Sequence, residues 1–237
     1  MKNLGRASFL ALAVLLVLPP LPAAGQLRYL PADFPETAAL LPPPPDAGSA
    51  ETAADLATTR TASRARTPEQ VAAARSEIKL TVFNFAAAIG PWFQPGRLPR
   101  TEEFFRAIDA DVRLVTDAGK SHFQRPRPYA VDPGIVPLAT EATFSYPSGH
   151  ATRGTVFALV LAELFPARRE ALLRMGRDIG WHRVVAGVHY PSDILAGRVW
   201  GQAIARALLQ DPQFCRDLAE VKTEIAAAQP ETAGAPH

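Results

Sequence analysis

Three short blocks in the second half of this chain carry residue types and spacings suited to chemistry on a phosphoryl group. The first, Lys120-Ser121-His122-Phe123-Gln124-Arg125-Pro126-Arg127-Pro128, sets a lysine and an arginine seven residues apart with a proline just behind, giving two fixed cations. The second, Tyr146-Pro147-Ser148-Gly149-His150, opens a long apolar helical run. Ser148 is therefore expected as the N-cap, with the amides of Gly149 and His150 as orphan donors at a helix end, a ready site for an anion. The third, Arg183-Val184-Val185-Ala186-Gly187-Val188-His189-Tyr190-Pro191-Ser192-Asp193, adds an arginine, a second histidine and a carboxylate four residues beyond it. Pro191 belongs at the first position of a new helix, so His189 lies on the segment entering it and Asp193, in the first turn, reaches back to one ring nitrogen.

A phosphomonoester must be held while phosphorus becomes five-coordinate and charge spreads over its equatorial oxygens, a demand for positioning and electrostatics. Lys120, Arg127, Arg183, the Ser148 hydroxyl and the amides beginning at Gly149 meet it. An attacking imidazole needs its proton kept on the far nitrogen, which Asp193 enforces on His189, and the departing alkoxide needs a proton, for which His150 is the candidate acid. His122, between Lys120 and Arg127, is a candidate for lining the pocket. His182 is expected to pack against or orient Arg183, while Arg125, Arg153 and Arg198 are open between holding an anion and pairing with carboxylates.

These blocks resemble the signature of the type 2 phosphatidic acid phosphatase superfamily, Lys-x6-Arg-Pro, Pro-Ser-Gly-His and Ser-Arg-x5-His-x3-Asp, departing from it only where His182 stands for the serine heading the third block. The flanking text, including Leu41-Pro42-Pro43-Pro44-Pro45 and Asp193-Ile194-Leu195-Ala196-Gly197-Arg198, looks more narrowly like the bacterial class A non-specific acid phosphatases. The resemblance spans nearly the whole chain after its leader. It implies an all-α domain of the phosphatase and haloperoxidase type, the nucleophile and acid roles for His189 and His150, and a homo-oligomer. The activity expected is metal-independent hydrolysis of small phosphomonoesters through a phosphohistidine, with phosphotransfer to alcohols as a companion reaction and no cofactor.

Three rivals compete. Zinc hydrolysis lacks a His-x-His or His-Glu-x-x-His arrangement, and a lysine and two arginines at the site would repel a divalent cation. A vanadate-dependent haloperoxidase uses a similar pocket but is usually much longer. A non-catalytic phosphate binder has no use for a nucleophile, its orienting carboxylate and an acid.

The 237 residues, 48% hydrophobic, suffice for one sizeable core, so a single domain is expected. Met1-Lys2-Asn3-Leu4-Gly5-Arg6, an apolar run over 7–18 and a small Ala23-Ala24-Gly25 site form the layout of a secretory signal peptide over 1–25, predicting a periplasmic or secreted protein without stable membrane insertion after cleavage. Taking Lys2 and Arg6 from the 25 basic residues leaves 23 against 23 acidic ones, which removes the surplus of cations that nucleic-acid binding needs. Cys215 is the only cysteine, so no intrachain disulfide forms, and it is expected to be buried.

The elements that must position the three blocks are helices, with no convincing strand. A proline-rich arm over 26–48 is expected to wrap the domain or a neighbouring subunit, and the helical domain covers 49–228 before a tail at 229–237. Thr67-Pro68-Glu69-Gln70 is a capping box predicting a helix over 68–88; apolar spacing predicts another over 101–118, ending just before Lys120. A loop over 129–146 is predicted to shape the substrate entrance, followed by helices over 150–164, 167–186, 191–209 and 212–227, with an apolar stretch at 154–162 too short to span a bilayer.

Overall fold

The computed structural model describes residues 27–34, 36 and 41–229; the expected leader over 1–25 and all but the first residue of the tail lie outside these. The described residues form helices and no strand: α1 (Ala50–Arg64), α2 (Pro68–Ser76), α3 (Ala86–Ile89), α4 (Pro99–Phe123), α5 (Pro128–Val131), α6 (Gly149–Leu164), α7 (Arg169–Val185), α8 (Pro191–Leu208) and α9 (Pro212–Ala228), with short 3-10 turns at Val82–Phe85 and Pro166–Arg168. The fold class is all-α.

α6 is the central helix. It is apolar on nearly every side, as a helix enclosed by neighbours must be, and it packs against α4, α7 and α8. Glycines bring those neighbours close: a Cβ on Gly176 of α7 would stand 2.7 Å from the Gly154 carbonyl oxygen of α6, and one on Gly197 of α8 would stand 2.6 Å from the Ser148 carbonyl oxygen. The second approach sets the N-termini of α6 and α8 side by side, where the Ser148 amide donates to the Asp193 carbonyl at 3.1 Å. The described part of the arm lies on its own chain. The amides of Arg28, Tyr29 and Leu30 donate to the buried Asp111 carboxylate of α4, Tyr29 and Leu30 join the core, and the Tyr146 hydroxyl donates to the Pro42 carbonyl.

Two helix boundaries differ from the sequence expectation. The helix expected over 68–88 stops at Ser76, and the chain restarts at the 3-10 turn, where the Thr81 amide donates to Asn84 Oδ1 at 2.8 Å. The break has a tertiary cause, because it places Glu77 against α6 and α7, where it meets His150 and His182. The helix expected to end before Lys120 instead runs to Phe123. Gly119 is tolerated inside it, and the stop comes at Gln124, left-handed at φ 49°, two residues before Pro126. Lys120 is thereby fixed in the last turn of α4. Cys215 is exposed rather than buried, since it lies on the outer face of α9.

The close approach of α6 and α7 yields a stability prediction. Gly176→Val forces side-chain atoms into the Gly154 backbone and the Ala158 methyl, so denaturant unfolding should show a loss of about 1–3 kcal/mol, the usual cost of overpacking.

Candidate active site

The three blocks converge on one cleft of about 180 Å³, lined among others by Lys120, Arg127, Glu141, Thr143, Gly149, His150, Arg153 and His189. Its floor is built from helix ends. Ser148 caps α6, its Oγ accepting from the Ala151 amide at 3.4 Å, which leaves the first amides of α6, at Gly149 and His150, on the cleft wall. α7 ends in a Schellman turn: Gly187 is left-handed at φ 76°, its amide donates to the Val184 carbonyl, and the Val188 amide donates to the Arg183 carbonyl. That turn carries the chain from Arg183 to His189, and Pro191 then starts α8.

Asp193 is fully buried and every edge of its carboxylate is used. Oδ1 accepts from Arg125 Nη1 at 2.7 Å. Oδ2 accepts from Ser145 Oγ at 2.5 Å and the Tyr190 amide at 3.0 Å, and lies 3.0 Å from His189 Nδ1. His189 Nε2 sits 2.9 Å from Arg127 Nη1. A guanidinium only donates, so Nε2 is the bare nitrogen and the proton is on Nδ1, bonded to Asp193. Burial, then the charges of Arg127, Lys120 and Arg183, holds the His189 imidazole well below its ordinary pKa, so the ring is neutral.

His150 is fixed from the opposite end. Its Nε2 lies 2.9 Å from the Glu77 carbonyl, which only accepts, so Nε2 carries the hydrogen and Nδ1 is bare. Burial and the nearby Arg183 and Arg153 push this ring, too, well below its ordinary pKa. His182, at the one position where the signature differs, holds the Glu77 carboxylate with Nδ1 3.0 Å from both oxygens, and that contact raises its pKa. The substituted residue therefore steadies the segment whose carbonyl holds His150, rather than packing on Arg183.

The cations are buried and differently partnered. Lys120 Nζ donates to the Phe144 carbonyl at 2.5 Å, and burial together with Arg127 pulls its pKa down to about 7. Arg127 Nε donates to the Thr143 carbonyl at 2.8 Å, and Nη1 also donates to the Val188 carbonyl at 2.9 Å. Arg183, 1% exposed, donates to the Glu141 carboxylate.

Of the residues expected at the site, His150, His189, Asp193, Lys120, Arg127, Ser148, Gly149 and Arg183 are brought together here. His122 is not. It is exposed on α4 with its ring edge-on to Phe123 and away from the cleft lining. Arg153 lines the cleft and pairs with Asp109, whereas Arg125 faces away, bridging Asp193 and Asp55 with its guanidinium 3.7 Å above the Tyr190 ring. Ser145, Glu77, Glu141 and Asp55 were not legible as site residues. They come from a loop or from distant helices and carry no spacing signal of their own.

A profile of the PAP2 superfamily matches residues 110–217, a span holding all three blocks. A non-specific acid phosphatase of Providencia stuartii is 31% identical over 81% of this chain and 81% of its own length. An acid phosphatase of Zymomonas mobilis is 31% identical over 80% of this chain and 75% of its own. Among solved structures, a transmembrane PAP2-type phosphatidylglycerolphosphate phosphatase from Bacillus subtilis shares the fold with a TM-score of 0.50 at 21% identity, covering 73% of this chain and 89% of that one.

With burial and Arg127 pulling the Lys120 pKa down to about 7, its ammonium is present below that pH and lost above it. Affinity for sulfate, whose own charge is constant from pH 5 to 9, should weaken as pH rises through about 7, by up to about tenfold per unit, and Lys120→Arg should flatten that dependence in a competitive-inhibition series. On fold, site and sequence together, this chain belongs to the PAP2 superfamily.

Proposed function

We propose that this protein is a metal-independent acid phosphatase that hydrolyses small phosphomonoesters through a phosphohistidine at His189. The observation that carries the reading is the His189 ring: neutral, proton held on Nδ1 by Asp193, and bare Nε2 directed into a cleft lined by buried cations. Its relatives' names, non-specific acid phosphatase and acid phosphatase, support the same class of reaction.

In this mechanism the phosphoryl oxygens take the donor that Arg183 now gives to Glu141 and the Arg127 edge that now faces His189 Nε2, together with the first amides of α6. His189 Nε2 attacks phosphorus, the bond to the leaving oxygen breaks, and His150 delivers a proton to that oxygen. Asp193 stabilises the imidazolium character that develops on His189. A water then loses its proton to His150 and attacks phosphorus, the P–N bond breaks, and phosphate leaves with both histidines restored. An alcohol replacing water gives phosphotransfer. His150 is neutral in the empty cleft, so it must gain its proton with the substrate. Burial holds the ring's pKa down, with Arg183 and Arg153 adding to it, and a phosphate dianion offsets those two charges.

The same proposal includes export to the periplasm, supported by the basic and apolar start of the chain. No helix among the described residues is long and apolar enough to cross a membrane. Assembly into a homo-oligomer belongs to it as well, supported by Leu195 and Val199, exposed on α8 at 61% and 48%.

With p-nitrophenyl phosphate near pH 6 and excess chelator, turnover should persist and His189→Ala should lower kcat by a thousandfold or more, on the order of losing a covalent nucleophile. Turnover lost to chelator alone, or retained by His189→Ala, overturns the proposal. A second series separates the acid role: His150→Ala should slow alkyl phosphates, whose alkoxides need a proton, far more than p-nitrophenyl phosphate, whose phenolate leaves unaided.

A further inference from the structure

The cleft that binds an anion already contains one. Glu141 lies on its wall, and one of its carboxylate oxygens accepts from Arg183 Nη2. Its backbone is clamped on both sides by one phenol: the Glu141 amide donates to Tyr129 Oη at 3.1 Å, and Tyr129 Oη donates to the Glu141 carbonyl at 3.2 Å. The side chain remains 30% exposed while Arg183 is buried, so the carboxylate is the half of this pair with room to move. Arg183 Nε, meanwhile, has no hydrogen-bond partner among the described residues. The arginine is thus only partly used by the glutamate. It keeps one buried donor without a partner, which fits an exchange of partners better than a finished structural ion pair.

We propose that Glu141 is an internal anion that competes with the substrate's phosphoryl group for Arg183, so that phosphate binds by displacing the carboxylate. This rests on the phosphatase reading of the same cleft and adds to it a residue that sets oxyanion affinity. Two consequences follow from the charges. In the empty cleft Glu141 balances cations that burial would otherwise destabilise, since its charge favours the protonated forms of Arg183, Arg127 and Lys120. In the occupied cleft it is a like charge beside the phosphate, weakening the hold on product as well as on substrate.

Calorimetric titration of the full chain with inorganic phosphate tests this without relying on turnover. Glu141→Gln keeps an acceptor of the same shape but removes the charge, so its dissociation constant for phosphate should fall by about tenfold relative to the unchanged protein, with KM for p-nitrophenyl phosphate falling in parallel and kcat not rising in proportion. An equal or weaker affinity overturns the proposal. If the unchanged protein binds no phosphate, the phosphatase reading itself fails, an outcome distinct from binding that is indifferent to Glu141. A crystal structure of the unchanged protein with phosphate bound decides the matter independently of any variant: a phosphate oxygen on Arg183 with Glu141 withdrawn supports displacement, and an intact Glu141–Arg183 contact beside bound phosphate refutes it.

Discussion

The site is organised around a single buried carboxylate. Asp193 has no solvent contact, and a charge so placed persists only if hydrogen bonds and counter-charges replace its water. Arg125, Ser145, the Tyr190 amide and His189 supply them, and these residues come from the end of α4, the following loop and the entry to α8. The Asp193 backbone carbonyl meanwhile accepts the Ser148 amide, tying the start of α6 to the start of α8. Satisfying one carboxylate therefore fixes the relative positions of His189, the helix-end amides and the loop that carries the cleft wall. Arg125 belongs to this scaffold as a positioning residue, held in turn by Asp55 and stacked on Tyr190.

A second constraint is the cost of burying cations where substrate must later bind. Lys120, Arg127 and Arg183 are each below 10% exposed, and burial is the leading influence lowering the pKa of all three. The protein meets this cost with partners that differ in permanence. Lys120 and Arg127 lean on backbone carbonyls, which are fixed, and Arg183 leans on Glu141, which is not. Fixed carbonyls orient a cation without cancelling its charge, so the cleft retains the positive potential that an oxyanion needs.

Much of this was legible in the sequence because the informative features are local. Ser148 as a cap, Pro191 at the start of α8 and the four-residue step from His189 to Asp193 all follow from helix-terminus chemistry within a few residues. What escaped depends on long-range closure. Glu77 could not be placed while residues 68–88 read as one helix, because its role exists only where the chain breaks to meet His150 and His182. Lys120 could be recognised but not placed: the apolar spacing predicts a helix only to 118, whereas packing of α4 against α6 carries the helix to Phe123. Likewise Asp55 and Arg125 are 70 residues apart, and His122 shares the first block with Lys120 yet points to solvent, since neighbours in sequence near a helix end need not share a face.

In the proposed mechanism the two histidines face opposite demands, and the fold fixes a different nitrogen of each. His189 must be neutral when substrate arrives, and it is held so by burial among cations, with a carboxylate reserving its Nδ1 proton. His150 must be charged at the moment the leaving oxygen departs, yet burial, then Arg183 and Arg153, holds its pKa well below the ordinary value. A carbonyl rather than a carboxylate accepts from its Nε2; that bond favours the protonated ring but does not outweigh burial and the two arginines, so the ring stays sensitive to charge that enters the cleft. In that mechanism a dianion bound by Arg183 offsets part of the charge that suppresses the His150 proton, while Asp193 keeps the His189 proton on Nδ1. On this proposal substrate charge arms the acid, and the difference between a carbonyl and a carboxylate partner separates the roles of two otherwise similar imidazoles.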